Sequence, residues 1–182
     1  MGYDIIAVAR REDKLNELKD ALDTNVETVC ADVTKIEDIE KIVPYLDDTE
    51  ILINNAGFGV FGDLCSSDLS KELEMIDTNI KAVHILTKYA AQKFKEKNRG
   101  YIMNVASIAA FFPGPLFASY YGTKSYVFRL TQSLYEELKQ AKSNVKVSVL
   151  CPGPVRTEFE EVAKVSFGRG DEIGRDLIIA DK

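Results

Sequence analysis

The sequence predicts an α/β domain built on a doubly wound parallel sheet, with helices on both faces of the sheet. Short runs rich in isoleucine and valine alternate along the chain with longer segments whose apolar residues recur at helical spacing. The short runs are apolar at consecutive positions, as expected for strands buried on both faces of a parallel sheet. The 182 residues are 46% hydrophobic and 29% charged, which is typical of one soluble globular domain spanning residues 1–182.

The first half of the chain contains three predicted strands and two predicted helices. Residues 3–9 (YDIIAVA) and 25–31 (NVETVCA) are apolar runs of strand length. Residues 11–22 place leucines at 15, 18 and 22, and residues 35–46 place isoleucines at 36, 39 and 42, so each predicts a helix with one apolar face. A third strand, 50–57 (EILINNAG), ends in a polar turn.

The second half repeats the alternation with longer helices. A helical pattern extends over about 70–98, and residues 101–107 (YIMNVAS) form the fourth predicted strand. A helix from Ser119 to Gln140 precedes the fifth strand, 144–153. No repeat or flexible linker divides the chain, although residues 160–182 are more charged and richer in glycine than the rest.

Charge and cysteine content exclude several classes of function. A net charge of −6 and an isoelectric point near 5.0 argue against nucleic acid or an anionic membrane as the main partner. The apolar run at the N-terminus is too short for a signal peptide or a membrane span. Cys30, Cys65 and Cys151 are far apart and lack metal-ligand spacing, which favours reduced thiols in the cytoplasm and no metal site.

Unusual residues fall at the carboxyl ends of all five predicted strands. These are ARR at 9–11, ADV at 31–33, NNAG at 54–57, VAS at 105–107 and CPGPVRT at 151–157. In open parallel sheets ligands bind at this edge, because loop amides and helix N-termini converge there. The pattern therefore predicts one ligand site along the edge.

Two adjacent tyrosines raise the question of which one serves chemistry. Tyr120 lies four residues before Lys124 and shares a helical face with it, whereas Tyr121 points elsewhere and is interpreted as packing or pocket wall. A nearby ammonium is expected to lower the pKa of Tyr120 toward a useful range, and Ser107 is suited to hydrogen-bond a substrate oxygen. Proton transfer to a carbonyl also requires a hydride donor, which implies a nicotinamide cofactor.

Taken together, the motifs resemble those of the short-chain dehydrogenase/reductase family. The matching segments are NNAG at 54–57, Asn79 within MIDTNIKA, Ser107 within NVASIAA, YYGTK at 120–124 and PGPVRT at 152–157. The resemblance covers residues 3 to about 159, and it implies a Rossmann-like topology.

The resemblance implies a catalytic role for four residues. Tyr120 would be the acid/base, and Ser107 would orient and polarise the substrate. Lys124 would bind the nicotinamide ribose and lower the tyrosine pKa. Asn79 would hold a water that links Lys124 to solvent.

The resemblance also implies a set of cofactor contacts. Asp32 with the adjoining Val33 would contact the adenine, and the turn carrying Asn54, Ala56 and Gly57 would lie along the cofactor. Pro152, Gly153 and Thr157 would lie near the nicotinamide, beside Tyr120 and Lys124. Arg10 or Arg11 suits a 2′-phosphate, so NADP is preferred to NAD, although this pair is also typical of a solvated helix entrance.

The family begins with a strand, a glycine-rich turn and a helix that this sequence lacks, so the predicted fold has its first strand and helix missing. A longer enzyme, direct pairing of the strands at 3–9 and 50–57, or a strand from another chain would each account for the gap. Residues 158–182 are expected to form a shortened substrate-loop region.

The predicted function is hydride transfer between NADP(H) and a carbonyl or alcohol substrate, with Tyr120 as acid/base. The aromatic residues in 109–121 favour an apolar substrate, and the resemblance implies a homodimer or homotetramer paired through the long helices. One alternative is a non-catalytic relic or regulatory protein of the same fold that has lost cofactor binding. A nucleotide-sugar epimerase or dehydratase is a further alternative, disfavoured by the short C-terminus.

Overall fold

The computed structural model describes residues 3–153, which divide into two compact units after Thr49. Each unit contains its own parallel sheet, with the order β1-β2 in the first unit and β3-β4-β5 in the second. The prediction of an α/β chain with parallel strands is confirmed. The single-domain prediction for 1–182 stays a prediction.

The first unit is a strand-helix-strand-helix segment. Its elements are β1 Ile5–Ala9, α1 Glu12–Ala21, β2 Val26–Cys30 and α2 Ile36–Ile42. The strands are in parallel register from Ile5 opposite Val26 to Ala9 opposite Cys30. Leu15, which is 4% exposed, anchors α1 against Ala7 and Val26 of the sheet.

The helix predicted over 35–46 changes from an α-helix to a 3-10 helix near its end. The α-helix stops at Ile42 and continues as a 3-10 turn over Val43–Asp47. Pro44 lies in this turn, and proline cannot donate the backbone hydrogen bond that would extend an α-helix.

The second unit contains the longer helices. Its elements are β3 Ile51–Asn54, α3 Leu69–Ile76, α4 Val83–Lys97, β4 Tyr101–Val105, α5 Ala118–Gln140 and β5 Lys146–Leu150. A π turn, Asp77–Ala82, joins α3 to α4, and a 3-10 turn, Ile108–Phe111, follows β4. The helix predicted over 70–98 is thus continuous in extent but widens at 77–82, which helical periodicity alone does not reveal.

Two helices cover one face of the second sheet. The face of β4 that carries Ile102 and Asn104, both 0% exposed, packs against α4 and α5. Within the units β1 pairs with β2 and β3 pairs with β4, and direct pairing of the first and third strands stays a prediction. Among residues 3–153 we find no helix that is both long and apolar enough to cross a membrane.

Candidate functional site

The carboxyl ends of β4 and β5 are joined by backbone hydrogen bonds in the second unit. The Ala106 N–H donates to the Leu150 carbonyl at 2.8 Å, and the Ile108 N–H donates to the Pro152 carbonyl at 3.1 Å. The predicted VAS and CPG motifs therefore meet at one edge of the sheet, as the strand pattern indicated.

Ser107 and Tyr120 are joined by a side-chain hydrogen bond. The Ser107 hydroxyl oxygen also accepts a hydrogen bond from the Ala109 N–H at 3.1 Å, at the start of the 3-10 turn. Ser107 thus caps a turn and contacts the tyrosine, and its hydrogen bond to a substrate oxygen stays a prediction.

Lys124 is buried one helical turn after Tyr120. Its side chain is 6% exposed, and its Nζ donates to the Val105 carbonyl at 3.1 Å and lies 5.8 Å from the centre of the Tyr120 ring. Burial lowers the Lys124 pKa from 10.5 to about 8. The spacing argument for pairing Lys124 with Tyr120 is confirmed by this geometry.

The sequence predicted a lowered pKa for Tyr120, and this prediction is wrong. Burial raises the Tyr120 pKa above its ordinary value of 10.0, and the hydrogen bond with Ser107 offsets only part of that rise. Desolvation acts against the phenolate and is the largest cause of the rise. Tyr120 is therefore held in its protonated form at neutral pH.

Tyr121 is a packing residue. It is 9% exposed and forms a buried cluster with Ala109 and Phe117. Its ring lies so close to Gly114 that a Cβ placed there would approach it to 2.4 Å. The interpretation of Tyr121 as packing is confirmed.

Both polar atoms of the Asn79 side chain are hydrogen-bonded to other groups of the protein. It is 1% exposed in the π turn, and its Oδ1 accepts from the Phe58 N–H at 3.1 Å. Its Nδ2 donates to the Phe58 carbonyl at 2.9 Å and to the Thr123 hydroxyl at 3.0 Å. The water-holding role stays a prediction.

The turn after β3 combines a buried asparagine with an exposed backbone. The Asn54 side chain is 6% exposed and donates to Asn104 Oδ1 at 2.8 Å and to the Thr87 hydroxyl at 3.1 Å. Its side chain therefore joins strands and helix, and the cofactor contact stays a prediction for the backbone of the turn. Ala56 and Gly57 are exposed, as that contact requires.

Gly57 leaves space for two site residues. A Cβ at this position would lie 2.9 Å from Asn79 Oδ1 and 3.2 Å from Lys124 Nζ, closer than side chains normally pack. Only glycine lets the turn approach the lysine without displacing either group.

The first unit holds the residues predicted for the adenosine end of the cofactor. Arg10 is exposed after β1, and Arg11 precedes the first residue of α1. Slight burial acts to raise the Asp32 pKa, but hydrogen bonds from Thr34, together with the Arg10 charge, bring that pKa below its ordinary value. Val33 is half-buried in the same loop.

The last predicted motif is only partly described. Pro152 is half-buried and bonded to the turn after β4, and Gly153 is exposed. Thr157 and the region 158–182 lie outside the described residues.

The segment 109–121 was expected to line an apolar substrate entrance; this is wrong for Phe117 and stays a prediction for the rest of the segment. Phe117 is 3% exposed and lies inside the Tyr121 cluster, so it does not line an entrance. Phe111 packs edge-to-face on Phe128 of α5 with ring centres 4.8 Å apart, while Phe112 and Leu116 remain exposed. Aromatic residues in a loop indicate that their rings pack against another part of the protein, but the sequence does not show which element that is.

Several polar residues of this region were missed by the sequence reasoning. They are Thr87, Asn104, Thr123 and Thr131, which are at most 3% exposed, and Cys151, whose thiol accepts from the Ser107 N–H. Asparagines within otherwise apolar strands were the available signal, because a polar group in a buried strand needs a partner.

Comparison with known proteins gives a consistent result. A family model described as short chain dehydrogenase matches residues 1–165. An uncharacterized oxidoreductase of Staphylococcus epidermidis is 34% identical over 165 residues, which cover 88% of this chain and 70% of that protein. An NADP-dependent 3-hydroxy acid dehydrogenase of Salmonella typhi is 34% identical over 167 residues, covering 88% and 66% of the two chains.

A solved structure has the same fold. The short-chain dehydrogenase from Sphingobium yanoikuyae, determined in complex with NADPH, superposes with a TM-score of 0.84 at 28% identity. The match covers 98% of this chain and 73% of that one. The Rossmann-like topology expected from the sequence is confirmed.

We predict that the buried charge of Lys124 reduces stability at neutral pH. The folded-state pKa of about 8 lies below the ordinary 10.5, so between these values the unfolded chain binds the extra proton and stability rises with pH. Lys124→Met should therefore raise the free energy of unfolding at pH 7 by up to about 3 kcal/mol. Urea unfolding of both proteins across pH 7 to 10.5 measures the difference, which should shrink as pH rises.

Lys88→Met, on an exposed position of α4, controls for the loss of an amine. If the difference in free energy of unfolding between Lys124→Met and the wild type is the same at every pH, the lowered pKa assigned to Lys124 is contradicted.

Proposed function

This chain belongs to the short-chain dehydrogenase family, and from that premise we propose that it is a cytoplasmic, NADP-dependent reductase of apolar carbonyl compounds, or catalyses the reverse oxidation. Tyr120 acts as the acid/base, Ser107 holds the substrate oxygen, and Lys124 binds the nicotinamide ribose.

One observation carries the proposal: Tyr120 is hydrogen-bonded to Ser107 and has the buried Lys124 ammonium against its ring. A tyrosine placed only for packing does not need a buried cation one helical turn away. Tyr121, in the same turn, is packed among Phe117 and Ala109.

The proton steps follow from the state of these groups. A bound NADP(H) supplies or accepts the hydride. The Ser107 hydroxyl donates a hydrogen bond to the carbonyl oxygen, and the Tyr120 hydroxyl transfers its proton to that oxygen as negative charge develops. The Tyr120 phenol is protonated at neutral pH, as a proton donor for carbonyl reduction must be, and burial raises its pKa further.

The residues present fit a nicotinamide cofactor. Lys124 donates one hydrogen bond to the Val105 carbonyl, and an ammonium has three N–H groups, so it can also donate to ribose hydroxyls. The missing Cβ of Gly57 forms a cradle beside Lys124 that a larger residue would fill. The exposed backbone of the turn at 55–57 supports the same assignment.

We predict that Tyr120→Phe lowers kcat for NADPH-dependent reduction of apolar aldehydes and ketones by about 10²- to 10⁴-fold, because the proton donor is lost. The matched control is Tyr121→Phe, which removes a hydroxyl from the neighbouring buried ring and should be mild. Consumption of NADPH followed at 340 nm measures both. Equal losses from the two variants would overturn the choice of Tyr120.

The preference for NADP rests on the cations after β1. Arg10 is exposed and close enough to Asp32 to lower its pKa, and Arg11 stands at the start of α1. A guanidinium pairs well with a phosphate dianion, whereas an acidic residue at this position would favour the free ribose of NAD. The NADP dependence in the name of the Salmonella relative supports the same choice.

We predict that calorimetric titration of the 182-residue chain gives tighter binding of NADPH than of NADH. Arg10→Ala combined with Arg11→Ala should abolish that preference, because it removes the cations proposed for the 2′-phosphate. Lys14→Ala, on exposed α1, controls for a change in net charge. Failure to bind either cofactor would instead support the alternative of a non-catalytic protein of this fold.

We propose further that the chain forms a homo-oligomer through α5. An open cavity of about 410 Å³ follows one face of this helix and is lined by Gly122, Ser125, Tyr126, Arg129, Leu130 and Ser133. A Cβ added at Gly122 would meet nothing within 4 Å, and Tyr126 is 38% exposed, so this face has room for a second copy.

We predict that Gly122→Arg produces a monomer, because a long charged side chain would enter the proposed interface without a clash inside the protomer. Sedimentation velocity measures the effect, with the exposed Gln140→Arg in the last turn of α5 as the control. A wild-type chain that sediments as a monomer would contradict the proposal.

A further inference from the structure

Thr123 lies inside the motif at 120–124 and links that motif to the π turn by hydrogen bonds. It lies between Tyr120 and Lys124 in the chain and is 2% exposed. Its hydroxyl donates to the Tyr120 carbonyl at 2.7 Å and accepts from Asn79 Nδ2 at 3.0 Å. A hydroxyl has one hydrogen to donate and lone pairs that accept, so it can make both hydrogen bonds at once and link Tyr120 to Asn79.

Asn79 extends this line to the turn after β3. Its amide holds both backbone groups of Phe58, accepting from the N–H at 3.1 Å and donating to the carbonyl at 2.9 Å. Because both Nδ2 hydrogens are used, on Phe58 and on Thr123, the orientation of the amide is fixed only while the threonine hydroxyl is present. Loss of that hydroxyl would leave a buried N–H without its acceptor.

The residue before Phe58 reaches the reactive lysine. Gly57 packs so closely that a Cβ on it would lie 3.2 Å from Lys124 Nζ and 2.9 Å from Asn79 Oδ1. If the Asn79 amide loses its fixed orientation and the turn shifts, the packing around the lysine ammonium therefore changes. The connection runs from Thr123 through Asn79 and the Gly57–Phe58 backbone to Lys124.

We infer that Thr123 is a positioning residue of this site: its hydroxyl locks Asn79 against the first turn of α5, and so holds the turn at Gly57 against Lys124 and beside Tyr120. The functional meaning of this role rests on the function proposed above, in which Lys124 and Tyr120 act. Thr123 itself reaches the site only through these neighbours.

Thr131, two turns further along α5, offers a matched control. It is also 2% exposed, its hydroxyl donates to the Val127 carbonyl at 2.7 Å, and it accepts from Asn104 Nδ2 at 2.9 Å. The two threonines thus make the same pair of bonds with the same burial. Removal of either hydroxyl should cost similar stability. Thr123 leads through Asn79 to Phe58, the neighbour of Gly57, whereas Thr131 leads through Asn104 to the Asn54 side chain, three residues before Gly57.

The test compares Thr123→Val, Thr131→Val and Thr123→Ser in the full chain without cofactor. NMR of lysines labelled with ¹³C at Cε follows the titration of Lys124, and its signal is assigned by its loss in Lys124→Met. Cys151 and Tyr120 are the titratable groups that interact with Lys124, and both remain in every variant. Urea unfolding reports the stability of each protein.

Thr123→Val should raise the Lys124 pKa by about one unit, a tenfold change in proton affinity, because the loosened turn admits water to the ammonium. Thr123→Ser keeps the hydroxyl and should titrate as the wild type does. Thr131→Val should lose stability and leave the titration unchanged. Equal titration of Lys124 in Thr123→Val and Thr131→Val would overturn the inference, and Thr123→Ala replaces Thr123→Val under the same criteria if the latter does not fold.

Turnover provides a second and separate readout. With NADPH and an apolar aldehyde, Thr123→Val should lower kcat by about tenfold or more with little change in KM, since misplacement of reacting groups acts on the chemical step. A wild-type chain without turnover would count against the proposed function, whereas the cofactor-free titration would still decide whether Thr123 positions Lys124.

Discussion

The second unit is organised around a positive charge that is kept away from water. An unpaired ammonium in a protein interior is costly, and the chain reduces the cost by placing Lys124 Nζ against the Val105 carbonyl and by lowering its pKa to about 8. The approach is possible because Gly57 has no side chain to occupy the space beside the nitrogen. One helix, one strand end and one turn thus meet at a single group, and Tyr120 lies on the same helix.

Buried amides and hydroxyls hold these elements in register. Asn104 of β4 accepts from Asn54 of β3 at 2.8 Å and donates to Thr131 of α5 at 2.9 Å, while Asn79 and Thr123 make the corresponding connection nearer the site. Such bonds have little net effect on stability when satisfied and a large cost when broken, so they select one alignment of parallel elements over others. Tyr120, the proposed acid/base, owes its geometry to this alignment as much as to its own contacts.

Local patterns predicted much of this arrangement. Apolar runs located all five strands to within a few residues, because burial on both faces of a parallel sheet leaves a plain signal in the sequence. The four-residue spacing to Lys124 separated Tyr120 from Tyr121, since helix geometry alone brings residues i and i+4 together. The π turn at 77–82 and the stop of α2 at Ile42 depend on tertiary packing or on a single proline, so periodicity averaged over several turns did not detect them.

The sequence by itself determined the fold class, the family and the pairing of Tyr120 with Lys124 on one helical face, because these follow from spacing and residue type. Only the tertiary structure decided the state of these groups. The Tyr120 pKa is raised and not lowered, and the Asn54 and Asn79 side chains are engaged by the protein. The physical reason is that pKa values and hydrogen-bond partners depend on burial by residues distant in the chain, and sequence spacing along one helix carries no record of that environment.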